Sequence, residues 1–309
     1  MTVRSYQSRL EEACGLFGIE PRGSATPLSG GTANASFVVQ AQETVIVTFC
    51  LSHTRRRAGQ LAQLLRHFEQ QHLETNRALP SLAGDCVQVV DGIPVLVKTY
   101  IAGTPVGAMT ASRAEQLGAL LARIHRVPVY AQLPADHAMA PETMVRLGRA
   151  AAHAEFSTWI EHALQRLDLD WSGLSRGIVH GDLFPDNLIE RTDGRLVPID
   201  FEEACLYPCV FDLGMALVGL ANIHGLDPDH ARQLLGGYRS AGALPQSELE
   251  YLPTMFETSA AMTACWRYEL SRGEGPATGE RRDWRDMRAT YRLSQEWRAA
   301  GTWGEVLRA

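Results

Sequence analysis

Asp182 and Asn187 stand five residues apart in the run Ile178-Val179-His180-Gly181-Asp182-Leu183-Phe184-Pro185-Asp186-Asn187. Thirteen positions after Asn187 comes Asp200, within Val197-Pro198-Ile199-Asp200-Phe201. Three oxygen acceptors at these intervals suit phosphoryl transfer. In that chemistry a carboxylate accepts the proton of the attacking hydroxyl, an Asn side-chain oxygen binds magnesium, and a second carboxylate completes the metal site. Asp182 fits the first part, Asn187 the second and Asp200 the third.

The interval to Asp200 has a physical meaning of its own. Between the two metal candidates the chain reads as strand, turn, strand, with Asp193-Gly194 as a two-residue type I′ turn. Paired positions in such a hairpin share a constant index sum, so Thr192 faces Arg195 and Asn187 faces Asp200. Opposed Cα atoms lie about 4.5–5.5 Å apart, which lets an amide oxygen and a carboxylate reach one hard cation. Pro198 or a bulge would shift this register by one. A lone Asp-x-x-x-x-Asn is more often a turn satisfied by its own side chains; here His180 and Asp212 accompany it. Asp212 sits in the strongly apolar segment 207–220, where a helix should be buried on most faces. A buried carboxylate needs partners, and the backbone N–H groups of the 180–187 loop are the natural ones; the alternative is an ordinary acidic residue at a helix N-terminus.

The chain at this point resembles the aminoglycoside phosphotransferase and choline kinase superfamily, small-molecule relatives of the protein kinases, and within it the bacterial type II homoserine kinases. The superfamily's His-x-Asp-x-x-x-x-Asn matches His180, Asp182 and Asn187, its Ile-Asp motif matches Ile199-Asp200, and its later Asp matches Asp212. The homoserine kinase flavour comes from His-x-Asp-Leu-Phe-x-Asp-Asn at 180–187, Ala204-Cys205, Phe211-Asp212-Leu213 and Arg267-Tyr268-x-Leu270-Ser271-Arg272. The resemblance implies an α+β, bilobal protein-kinase-like fold with a small antiparallel-sheet N-lobe and a larger helical C-lobe, using ATP and Mg2+ to phosphorylate a small-molecule hydroxyl. Homoserine is the leading acceptor. The alternatives are an aminoglycoside or other natural product, and a catalytically weak, nucleotide-binding pseudokinase. Val218-Gly219-Leu220 stands where homoserine kinases tend to carry a polar Asn-x-Trp-type pocket, so the acceptor pocket is expected to be less polar here.

Composition agrees with a protein of this class. A chain of 309 residues, 45% of them hydrophobic, can bury two cores. A formal charge of −6 argues against a nucleic-acid surface. No segment reaches the roughly 20 apolar residues of a membrane span, and the polar N-terminus lacks a signal-peptide core, so a cytoplasmic protein is expected. The cysteines (Cys14, Cys50, Cys86, Cys205, Cys209, Cys265) form no Cys-x-x-Cys pair, which predicts reduced, mostly buried thiols rather than a zinc site or disulfide framework.

The elements that must position these residues follow from periodicity. Residues 6–17 read as a helix stopped by Gly18, and strand-like runs at 23–29, 36–41 and 44–51 form an antiparallel meander. A helix over 57–73 and a hairpin, 87–90 and 93–97 around Asp91-Gly92, complete an N-lobe placed at 1–100. The Gly/Pro break at 101–105 is read as the interlobe connector, with Tyr100 and Ile101 offering backbone to an adenine ring, and 106–309 as the C-lobe. Helices are expected at 111–126, 155–167, 207–220, 229–240, 248–271 and 284–299, with 273–282 a Gly/Pro-rich, charged stretch.

Gly30, Gly31 and Thr32 lie where a phosphate-covering turn belongs, although a Gly-Gly-Thr turn alone is usually an ordinary β-turn. Kinases carry a phosphate-gripping lysine on the third strand, and the matching position holds Thr48. The single lysine of the chain, Lys98, is read as a solvated strand residue next to the connector. Either Thr48 and backbone N–H groups hold the phosphates, or an arginine from Arg55-Arg56-Arg57 does so, or the protein is a weak or dead kinase. His180 is expected to brace the loop, with direct acid/base work the alternative. Asp186 caps the loop or meets a cationic substrate. Trp266 and Arg267 suit the ammonium and carboxylate of an amino acid, against a plain helix face of core aromatics and a surface arginine. Glu202 and Glu203 bind the acceptor's amine or face solvent.

Overall fold

Buried apolar residues on two short strands, 35–39 and 45–49, and a helix whose apolar stripe packs on them, build the first part of the chain. The computed structural model describes residues 3–28, 34–167, 170–242, 244–272 and 283–308, which leaves the Gly30-Gly31-Thr32 turn and the 273–282 stretch outside the described residues. Two units divide the molecule, one reaching Ala102 and the other beginning at Gly103.

In the first unit, helix α1 (Val3–Phe17) precedes strands β1 (Thr26–Pro27), β2 (Ala35–Val39) and β3 (Val45–Phe49). Helix α2 (Arg55–Gln70) and strands β4 (Val87–Val90) and β5 (Ile93–Thr99) follow. The five strands form one antiparallel sheet in the order β1-β2-β3-β5-β4. Period-two patterning sorts its two faces. Phe37, Val39, Val45, Val47, Phe49, Val95 and Val97 form one buried layer with Tyr6, Leu10, Ala13 and Phe17 of α1. Ser36, Ile46, Thr48, Leu96 and Lys98 occupy the opposite face by register. Thr54 caps α2, its hydroxyl accepting the Arg57 N–H at 3.3 Å. The β4–β5 hairpin has the expected two-residue turn, with both Asp91 (φ +50°) and Gly92 (φ +78°) left-handed.

Lys98 departs from expectation. It is 9% exposed, because β5 is a central strand here: Lys98 lies opposite Ile46 of β3 on one side and bridges Ala78 on the other.

The second unit opens with strand β6 (Thr104–Pro105) and helices α3 (Ala111–His125), α4 (Pro141–Ala150) and α5 (Ala154–Arg166). Strand β7 (Arg176–Val179), a single 3-10 turn at Pro185–Asn187, and strands β8 (Leu188–Glu190), β9 (Leu196–Pro198) and β10 (Cys205–Pro208) come next. Helices α6 (Cys209–His224), α7 (Pro228–Ser240), α8 (Gln246–Leu249), α9 (Leu252–Arg272), α10 (Trp284–Ala300) and α11 (Thr302–Arg308) complete it. Strand β10 replaces the start of the expected helix at 207, since Tyr207 and Pro208 pair with Gly177 and Arg176 before α6 begins. Helices α3 and α7 pack at close range: a Cβ on Gly118 or on Gly237 would run into the other helix's backbone. Gly214 plays the same part between α6 and α9.

Candidate active site

Strand β7 delivers the chain into His180, and strand β10, its antiparallel partner, delivers it into α6, whose first turn carries Asp212. The two ends therefore meet. Asp212 is fully buried, and its Oδ2 accepts the His180 backbone N–H at 2.6 Å while its Oδ1 accepts that of Gly181 at 2.9 Å. The His125 Nε2 lies 3.2 Å from Oδ2, and the other ring nitrogen of His125 lies 2.8 Å from the Tyr238 hydroxyl. Burial alone would push the Asp212 carboxyl up, but the hydrogen bond and charge of His125 and the Gly181 N–H hold it below the usual carboxylate range. The carboxylate is a fixed anchor for the loop between β7 and β8.

His180 is wholly buried, its ring 4.4 Å from that of Phe201. Its Nδ1 accepts the Asp182 N–H at 3.3 Å, so the proton sits on Nε2, which donates to the Ile199 carbonyl at 2.9 Å. Burial pulls its pKa below the ordinary histidine value, against the opposing pull of Asp212. A neutral ring with both nitrogens engaged ties the Asp182 loop to the end of β9. His137, from the connection between α3 and α4, holds the same loop from another side: its Nδ1 accepts the Met139 N–H at 3.1 Å and its Nε2 donates to the Gly181 carbonyl at 3.2 Å. Gly181 has φ +83°, and a Cβ there would come within 2.9 Å of the Glu203 carbonyl and 3.1 Å of the His137 ring. Only glycine fits this turn.

The loop then presents Asp182 and Asn187 to each other. The Asn187 side-chain amide donates to the Asp182 carbonyl at 2.7 Å and to its Oδ2 at 3.3 Å, which leaves the side-chain Oδ1 as the amide's other polar atom. Burial pushes the Asp182 carboxyl well above the usual range, and the charges of Asp200, Asp186 and Glu203 add to that. Asp182 thus sits in the negative field of three further carboxylates, while among the described residues no group of three or more His, Cys, Asp or Glu side chains is itself arranged to hold a metal ion.

The hairpin register differs from the expected one. Leu188 pairs with Pro198, Ile189 with Val197 and Glu190 with Leu196, and the Ile199 N–H donates to the Asn187 carbonyl at 2.9 Å. Asn187 therefore lies opposite Ile199 rather than Asp200. The reason is in the turn, which has three residues: Arg191 pairs with Arg195, Gly194 alone is left-handed at φ +80°, and Asp193 uses Oδ1 to accept the Arg195 N–H at 3.1 Å. A type I turn closed by a left-handed glycine needs one positive φ where the type I′ turn needs two. Asp200 itself is left-handed, φ +65°, just past the end of β9.

The other expected site residues divide. Asp186 is exposed in the 3-10 turn, and Glu202 and Glu203 are half-buried beyond Asp200. Thr48 is 1% exposed, with its hydroxyl 3.0 Å from that of Ser36 across the strand pair, so it faces a neighbour within the sheet. Tyr100 is exposed, its N–H donating to Thr44 at 3.3 Å, and Ile101 follows it half-buried. Arg267 does not present a free fork. Its side chain is 1% exposed and donates to the Asp283 carbonyl at 3.1 Å and to Asp286 at 3.3 Å, tying α9 to the first turn of α10. Its neighbour Tyr268 stacks on Phe156 at 3.9 Å, while Trp266 faces outward at 37% exposure. The helix is gripped on the arginine's side, which periodicity in a helix of mixed polarity does not reveal.

Three supporting residues escaped the sequence reading. His125 stands four residues after Leu121 on the apolar stripe of α3, and a polar residue there is a legible sign of a buried partner. Tyr238 and His137 carry no such sign, since their partners come from α3 and from the 180–187 loop.

Comparison with known proteins bears on the family and the fold. The model of the phosphotransferase enzyme family matches residues 24–251. Homoserine kinase of Azorhizobium caulinodans is 26% identical over 263 residues, covering 79% of this chain and 78% of that protein. Among solved structures, amicoumacin kinase hAmiN in complex with AMP-PNP, Ca2+ and Ami superposes with a TM-score of 0.70 at 15% identity, covering 94% of this chain and 92% of the other. A microcompartment-associated aminopropanol kinase does so with a TM-score of 0.70 at 17% identity, covering 98% and 97%. Among the described residues, no helix is long and apolar enough to cross a membrane. With the family model matching most of its length and the fold of the small-molecule kinases, the chain belongs to the phosphotransferase enzyme family, an ATP-dependent kinase of small-molecule hydroxyls.

Proposed function

We propose that this enzyme transfers the γ-phosphoryl group of ATP to the hydroxyl of a small, amine-bearing acceptor, with L-homoserine the leading candidate. The observation that carries the proposal is the Asp182–Asn187 contact on a loop held by Asp212, in the negative field of Asp186, Asp200 and Glu203. Asp182 orients the acceptor hydroxyl and takes its proton as the hydroxyl oxygen bonds to the γ-phosphorus and the bond from that phosphorus to the departing ADP breaks. A carboxyl whose pKa is raised by its surroundings is a better base than an exposed aspartate. Asn187 and Asp200 are the residues assigned to hold Mg2+, which supplies neutralising charge at the phosphate oxygens. His180 keeps the loop in register, and Asp212 anchors it. We place the reaction in the cytoplasm, where ATP and small metabolites meet, and assign no nucleic-acid partner.

Similarity to homoserine kinases supports the amino-acid acceptor. One observation favours a second reading, an amino alcohol. Asp186 and Glu203 beside Asp182 suit an ammonium group, whereas the Arg267 guanidinium assigned to an acceptor carboxylate is buried against Asp283 and Asp286. An aminoglycoside belongs to the same ammonium-bearing class. The test is ATP-dependent phosphate transfer to L-homoserine beside 3-aminopropan-1-ol, its decarboxylated counterpart. Preference for homoserine supports the first reading, preference for the amino alcohol the second, and turnover of neither rejects the acceptor class.

A further inference from the structure

Thr48 occupies the β3 position at which a lysine would grip nucleotide phosphates, and its hydroxyl is paired with Ser36. The only lysine of the chain lies one strand away. Registers place it: Ile46 is opposite Lys98 and Thr48 is opposite Leu96, so Lys98 and Thr48 point to the same face of the sheet, as diagonal neighbours. Diagonal positions of adjacent strands are about 7–8 Å apart, within reach of a long side chain. This face is the one not covered by α1, whose core takes the alternate residues Val45, Val47, Val95 and Val97.

The burial of Lys98 is unusual for its type. A lysine is rarely enclosed without a partner, because removing an ammonium from water is unfavourable unless an anion or an acceptor meets it. Lys98 is 9% exposed, yet among the described residues no carboxylate forms an ion pair with it. Its backbone is fixed from both sides, by the Ile46 pairing and the Ala78 bridge, and Asn76, itself buried, donates to the neighbouring Thr99 carbonyl at 2.8 Å. The strand is thus held in place while the ammonium keeps its capacity for an external anion.

We propose that Lys98, on β5, supplies the phosphate-contacting ammonium that Thr48 leaves absent from β3, so that the nucleotide-binding charge has moved one strand across the same sheet face. This rests on the ATP-dependent kinase reading and adds to it the residue that recognises the phosphates. A lysine on β5 approaches the nucleotide from beside the connector, and an arginine from the exposed start of α2 is then not required. The ligand chemistry is that of a nucleoside di- or triphosphate; the adenosine part makes no use of Lys98.

The experiment measures binding of adenosine, ADP and ATP to the full chain, with magnesium, for wild type and Lys98→Met, which keeps the stem and removes the charge. The expected result is unchanged adenosine affinity with at least tenfold weaker ADP and ATP binding. A second variant moves the charge back: Thr48→Lys in the Lys98→Met background should recover part of the di- and triphosphate affinity. Because that variant also loses the Ser36 contact, the adenosine arm of Lys98→Met carries the decision if it does not fold. Equal weakening of adenosine and ATP would assign Lys98 a structural part and overturn the proposal, and so would unchanged ATP binding. A wild type that binds no ATP would sink the kinase reading itself, a result distinct from either.

Discussion

Asp212→Asn is the perturbation that asks most of the site's architecture. The wild-type carboxylate takes two backbone N–H groups, at 2.6 and 2.9 Å, and faces His125 at 3.2 Å, with no exposure to water. An amide of the same shape has one oxygen, so its NH2 must turn toward a group that also donates. One buried N–H is left without an acceptor, which costs about 1–3 kcal/mol, and the surviving bonds lose their charge assistance, so the total loss is about 2–4 kcal/mol. Asp212→Ala would orphan every donor and approach the whole stability of an ordinary domain, about 5–15 kcal/mol, which makes Asn the more informative change. Urea unfolding at neutral pH should show a lower midpoint at unchanged slope. Acid provides the second arm. The folded carboxyl lies below its ordinary value, so its stabilising contribution is complete above the unfolded pKa of about 3.9 and is lost as pH falls through the folded pKa; the gap between the two proteins should narrow there. A midpoint equal to wild type at neutral pH, or a gap that is the same in acid, would refute the assignment of Asp212 as the charged anchor of the loop.

Two further outcomes bear on the chemistry. Asp182→Asn should lower turnover by roughly two orders of magnitude. It should also raise the unfolding midpoint at neutral pH, because burial and the neighbouring carboxylates disfavour the charged form, with the gain disappearing below the unfolded pKa where the wild-type group is also neutral; unchanged turnover removes Asp182 from the mechanism. Asn187→Ala and Asp200→Ala should each raise the magnesium needed for half-maximal rate, and the double variant should lose less than the sum of the singles in log rate, whereas strict additivity would separate the two residues.

The sequence by itself determined the kinds of element and the chemistry of the loop. The β-branched and aromatic runs within 36–41 and 44–51 read as sheet, the Leu61-Leu64-Leu65-Phe68 spacing as a one-faced helix, and Asp91-Gly92 as a two-residue hairpin turn, and each formed as read. Each of these is a local rule, in which neighbours along the chain suffice to choose the conformation. The buried carboxylate at Asp212 was legible in the same way, as a charge in an apolar run that needed N–H partners. What the tertiary structure alone decided depends on groups brought together from distant positions. The hairpin between Asn187 and Asp200 takes a three-residue turn in which the Asp193 carboxylate accepts the Arg195 N–H, and the one extra loop residue shifts every pair by one. Arg267 became an internal tie because α10 packs beside α9, and His137 became a support of Gly181 because the α3–α4 connection docks on β10 through the Leu206 N–H to Pro134 carbonyl bond, 2.8 Å long. Lys98, which alternation alone marks only as one side of a strand, acquired its enclosed place from β3 on one flank and Ala78 on the other. Side-chain direction is a local property of a strand; what lies in that direction is supplied by the rest of the fold.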